Sequence, residues 1–234
     1  MPDLPGADAV VRIEMARGRD QVVLARRADT GEWVVASAAD APGDVARIEA
    51  LVSRLRQLSG PPLDAPPSPR EPLEVRLTGR DGRVLGHAGF LTGAAQARDG
   101  SGRPAGPWIA LSQTPALPLW PSAWSSLAPP RIVAAEVARV DRIRADGRAR
   151  LPVAEAARVA LRLERLSAVG FVDAARVNWA GAEAFRVTLA DGQAIDLQTV
   201  PDGEGGFFLR LTSDTLAEVR AARGFAFRLP ESLA

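Results

Sequence analysis

The sequence contains no cysteine and no tyrosine, and its single histidine is His87. Without cysteine there can be no disulfide, no thiolate zinc site and no thiol nucleophile. A metal site built on two histidines is likewise excluded within one chain. Compartment stays open, because exported proteins often lack cysteine too. Lysine is also absent, which removes the phosphate-binding motif G-x-x-x-x-G-K-[ST]. No apolar run approaches the roughly 18–20 residues that span a bilayer. Residues 1–6 lack the basic start and apolar core of a signal peptide. The sequence therefore predicts a soluble chain, with any membrane anchor lying upstream.

What is present is ordinary for a globular protein. Of 234 residues, 47% are hydrophobic and 24% charged, close to the averages for folded domains. All 29 basic residues are arginine, against 28 acidic ones. Arginine suits phosphate, but a nucleic-acid binder gathers its cations on one face. Here the acids are interspersed, so no nucleic-acid partner is predicted. Arginine usage of this kind is what GC-rich codons favour.

Hydrophobic periodicity sets the outline. Val10–Glu14, Gln21–Arg26 and Trp33–Val35 read as short antiparallel strands. From Val45 the apolar residues Ile48, Leu51, Val52, Leu55 and Leu58 follow helical steps of three and four. Asp44 stands where an N-cap belongs, and Gly60-Pro61-Pro62 stops the helix. Leu73, Val75 and Leu77 alternate with Glu74, Arg76 and Thr78, and Asp81-Gly82 marks a hairpin. Gly93 to Pro107 reads as a polar, glycine-rich loop before a strand at Trp108–Leu111. Trp33 reads as a buried or half-buried strand residue, and so does Trp179.

The second half follows the same plan. Val137–Ile143 and Ala149–Leu151 read as strands, and Val153 to Ala168 as a helix. Phe185, Val187 and Leu189 alternate up to the turn Asp191-Gly192. Ala194–Leu197, Phe207–Leu211 and Phe225–Pro230 are further strands, with a short helix from a Ser213 cap to Val219. Arg76, Thr78, Asp81 and Gly82 recur as Arg186, Thr188, Asp191 and Gly192. Arg54-Leu55, Leu58 and Ser59 recur as Arg162-Leu163, Leu166 and Ser167. The predicted fold class is α+β: two repeated units, residues 1–130 and 131–234, each a small antiparallel sheet covered by one helix.

No reaction is legible. His87 sits in a strand without an identifiable partner. Gly100-Ser101-Gly102-Arg103-Pro104-Ala105 matches a loose dinucleotide fingerprint, but no helix begins after it. A hydrolase using Asp81, Asp191 or Asp196 is the weakest of three readings. No cofactor or metal is predicted. The segment Leu117–Leu127 concentrates tryptophan and leucine. It makes Trp120 and Trp124 the candidate site residues, either for a partner, since tryptophan favours interfaces, or for packing between the units.

Several stretches taken in order resemble one family. They are Pro5-Gly6, Val11–Glu14, Val22–Arg26, Gly31–Val35, the helix up to Leu58, the hairpin Leu189–Gly192 and the closing Phe225–Pro230. Together they resemble the family designated domain of unknown function 4340. The resemblance covers most of the chain. It implies a non-enzymatic protein, commonly anchored by an N-terminal membrane segment and encoded beside ABC-transporter subunits of the gliding-motility type. It also implies a periplasmic or periplasm-facing location, with transporter or envelope proteins as partners. The departure is the anchor, for which these residues offer no apolar run of sufficient length, so membrane attachment is not predicted from them. The alternative reading is a binding module for an envelope polymer or small ligand in a groove between the two units.

Overall fold

The computed structural model describes residues 6–233. The chain divides into two compact units, Met1–Ser126 and Leu127–Ala234. In the first unit the order is β1 (Val10–Arg17), β2 (Asp20–Arg26), β3 (Trp33–Val35), β4 (Ala41–Pro42), α1 (Val45–Arg56), β5 (Pro62–Leu63), β6 (Leu73–Gly79), β7 (Val84–Leu91), β8 (Ala94–Arg98) and β9 (Pro104–Ala110). The second unit runs β10 (Val137–Arg144), β11 (Gly147–Arg150), α2 (Val153–Glu164), β12 (Gly170–Asp173), β13 (Glu183–Leu189), β14 (Ala194–Pro201), β15 (Phe207–Thr212), α3 (Ala217–Ala221) and β16 (Phe225–Leu229).

The α+β expectation of a small sheet under one helix is overturned. Strand makes up 41% of the structure and helix 20%, in antiparallel sheets of nine and seven strands. The largest misreading is Gly93 to Pro107, which is a hairpin, not a loop. Gln96 pairs with Trp108 and Arg98 with Pro104, so Ala105 to Pro107 oppose Ala97 alone. This bulge carries glycine and proline where an even ladder would not. The two-residue β5 and four-residue β12 are too short for alternation to show. The helices are shorter than their patterns, ending at Arg56 and Glu164. Ser213 does not cap a helix through Val219; its hydroxyl accepts from the Leu216 amide, and α3 begins at Ala217.

The two sheets share a strand order. The second unit's sheet runs β11-β10-β13-β14-β15-β16-β12. Within the first, the stretch β2-β1-β6-β7-β8-β9-β5 corresponds to it strand for strand, with β3 and β4 added beyond β2. Each first strand is entered from a 3-10 turn, Ala7–Ala9 or Ala134–Glu136. Each then bulges near its start, between Val10 and Arg12 or between Val137 and Arg139. The hairpin turns match in their bonds as well. Asp81 accepts from the Arg83 amide at 3.0 Å, and Asp191 from the Gln193 amide at 3.0 Å. Gly82 and Gly192 supply the positive φ, 77° and 86°.

Alternation sorts the faces. On β6, Leu73, Val75 and Leu77 are buried while Glu74, Arg76 and Thr78 face outward. On β13 and β14, Phe185, Val187, Ile195 and Leu197 join a core closed by Val159 and Leu163 of α2. In the first unit α1 buries Ile48, Leu51, Val52 and Leu55. The Asp44 carboxylate caps it, accepting from the Arg47 amide at 3.0 Å.

Candidate functional site

The tryptophan-rich segment lies in the first unit and is fastened to the start of α1. Pro121–Trp124 forms a 3-10 turn with proline at its opening, where the missing amide costs nothing. The Asp44 amide donates to Trp124 O at 2.8 Å, and the Arg47 guanidinium donates to Ala123 O. The Ser126 amide and the Ser125 hydroxyl both donate to Pro42 O. These bonds give the two candidate tryptophans opposite environments. Trp124 is 1% exposed, and its indole N–H donates to Pro118 O at 2.8 Å. Trp120, four residues earlier, is 62% exposed.

Trp120 walls a cavity of about 310 Å³. Leu73, Phe90 and Leu91 line it from the sheet, and Leu117 and Leu119 from the segment itself. Arg17, at the end of β1, is its only charged lining residue. A second cavity of about 290 Å³ also borders the segment, lined by Pro115, Pro118 and Trp124 with Arg47 and Arg54. Spacing along the chain revealed the aromatic concentration. It did not reveal which ring would be open, because that depends on the segment's bonds to Pro42 and Asp44.

His87 is not the isolated residue that the sequence suggests. Its Nε2 lies 3.2 Å from Glu74 Oε2, and its Nδ1 lies 3.2 Å from the Asp99 carbonyl. Arg98 Nε lies 2.9 Å from the same Glu74 oxygen, and an Arg98 N–H donates to Gly102 O at 2.8 Å. Strand register makes this cluster: Arg76 faces His87 across β6 and β7, and Glu74 faces Gly89. Gly89 leaves room for it, since a Cβ there would lie 2.9 Å from Arg98 Nε. The Asp99 carboxyl is held below its ordinary value by the Ser101 hydroxyl, then by the Arg103 amide. The cluster pins β6, β7 and the β8–β9 turn together.

The second unit carries ion pairs on the corresponding face. Arg186 grips Asp196 at 2.6 and 2.5 Å, which raises the guanidinium pKa. Asp141 is buried and accepts from Arg139 Nε at 2.7 Å. Asp202 accepts from Arg228 Nε at 2.7 Å and from the Glu204 and Gly206 amides at 2.8 Å. The Arg228 bond, then the amide bonds, hold its carboxyl below the ordinary value. Asp81 and Asp191 are exposed turn residues. Trp33 is buried on β3 under the Arg26 guanidinium. Trp179 lies outside the strands, half-buried, with its indole N–H on Ala174 O and Arg210 over its ring.

Among the described residues, no group of three or more His, Asp or Glu side chains is arranged to hold a metal ion, and no helix is long and apolar enough to cross a membrane. The chain matches no protein-family model, no curated protein and no solved structure.

Proposed function

We propose that this chain works by interaction, as an envelope-side accessory domain of an ABC-transporter assembly. One observation carries the interaction reading: an open tryptophan ring beside an apolar cavity on a segment otherwise tightly bonded. Trp120 keeps most of its surface in water while its neighbour Trp124 is buried. Aromatic residues of this kind are the usual anchors of protein interfaces. The motif order shared with the transporter-associated family supports the choice of assembly and the periplasmic side. Purification from the native host after chemical crosslinking tests it. The expected result is recovery of transporter subunits joined to this chain. Recovery of the chain only as a free monomer contradicts the proposal.

A further inference from the structure

We infer that the cavity walled by Trp120 receives an acidic, apolar peptide segment of a partner protein, with one apolar side chain entering it and a neighbouring carboxylate meeting Arg17. The inference rests on the interaction reading above and adds the chemistry of the partner.

Shape decides the size of the guest. A volume of about 310 Å³ is at the small end of ligand cavities, which run from about 300 to 1,000 Å³. It accepts one or two side chains. Its floor is preformed, because Leu73, Phe90 and Leu91 are core residues of β6 and β7, each 5% exposed or less. Covering Trp120 would remove a large ring from water, and the sheet beneath it need not move. This is the arrangement in which aromatic anchors contribute most to binding.

Charge decides the composition. The two cavities bordering the 115–124 segment are lined by three charged side chains, Arg17, Arg47 and Arg54, and by no carboxylate. Among the described residues, the guanidinium groups of Arg17 and Arg54 have no ion pair, and Arg47 donates to the Ala123 carbonyl. In a chain with nearly equal acids and bases, the lining of both cavities is cationic without a carboxylate. The acids near Arg17 are Asp20, its partner across the β1–β2 hairpin, and Glu71 beside Gly18, which do not line the cavity. The complement is a segment in which apolar residues adjoin aspartate or glutamate. Tryptophan with arginine also suits an anionic membrane. A membrane-binding face, however, projects a cluster of apolar groups, and here, of the apolar residues lining the Trp120 cavity, Trp120 alone is exposed while the others line a hollow.

The test selects short random peptides displayed on phage against the full-length chain, then titrates the synthetic consensus by fluorescence anisotropy. The expected consensus places apolar residues beside aspartate or glutamate. Trp120→Ala and Arg17→Glu should each weaken it by about tenfold or more, as loss of an anchor does. A peptide with lysine in place of its acid should regain affinity for Arg17→Glu only. Both substituted positions are exposed, and circular dichroism checks that the variants fold. The inference is overturned by a lack of enrichment, a basic consensus or undiminished binding to Trp120→Ala. Trp120-dependent binding to phosphatidylglycerol vesicles, or Trp120-dependent self-association, without peptide binding overturns it as well. If peptide binding fails while transporter subunits still crosslink, this inference falls and the accessory reading stands. If the peptide binds as stated and no transporter subunit crosslinks, the accessory reading alone falls.

Discussion

Replacing Trp124 probes whether the segment that carries Trp120 is held as described. Trp124 is almost wholly buried, and its single polar atom is satisfied by Pro118 O at 2.8 Å. Trp124→Phe keeps an aromatic ring but removes the N–H. Loss of the donor to the part-buried Pro118 carbonyl costs at most about 1–3 kcal/mol, and the smaller ring adds a small void. Trp124→Ala also empties the site, and truncations of this size cost about 3–5 kcal/mol. With a urea dependence of roughly 1–3 kcal/mol per molar, these losses move the midpoint down by about 1 M and about 2 M. Trp120→Ala, on the surface, should cost no more than about 0.5 kcal/mol. The assay is urea unfolding followed by far-UV circular dichroism, so that lost indole fluorescence does not confuse the comparison. A Trp124→Ala midpoint within about 0.2 M of the parent, or a Trp120→Ala loss equal to it, would refute the assignment of anchor and open ring.

Other expectations concern turns, a cap and acid stability. Gly82→Ala and Gly192→Ala should each destabilise by about 1 kcal/mol through positive φ alone, since nothing lies within 4 Å of a Cβ at either position; paired urea titrations giving one large and one negligible loss would argue against equivalent turns. Asp44→Ala should cost about 1 kcal/mol by removing the α1 cap, visible as faster amide hydrogen exchange in the first turn of that helix. Asp202 has a depressed native pKa, so its stabilisation is present above the ordinary aspartate value of 3.8 and is lost as pH falls through the native value. Asp202→Asn should therefore be less stable than the parent at neutral pH, and the gap should narrow as pH drops below 3.8. A gap independent of pH across that range would show that the carboxylate charge is not what matters.

Strong periodicity made part of the fold legible. The strands around Leu73–Leu77 and Phe185–Leu189, the Asp-Gly turns and the Asp44-capped helix follow from residue spacing, because each is decided by neighbours within a few positions. The error in fold class came from elements that spacing does not mark. The β8–β9 hairpin hides behind glycines and prolines that a bulge accommodates, and β5 and β12 form only by pairing with strands far along the chain. Without these three pieces, large sheets look like small ones. The site was legible as a concentration of tryptophan at 120 and 124, but not as one open ring and one anchor. Glu74 as the neighbour of His87 was invisible for the same reason, since cross-strand register, not sequence proximity, brings them together.

The central claim, that Trp120 stands at an interface, is tested most directly by a photocrosslinker placed there. Benzoylphenylalanine at position 120, with a control at the exposed Thr30, is irradiated in the native host and the adducts are identified by mass spectrometry. The account predicts adducts to a transporter or envelope protein from position 120 and none from position 30. Adducts to lipid alone, or equal labelling from both positions, would contradict it.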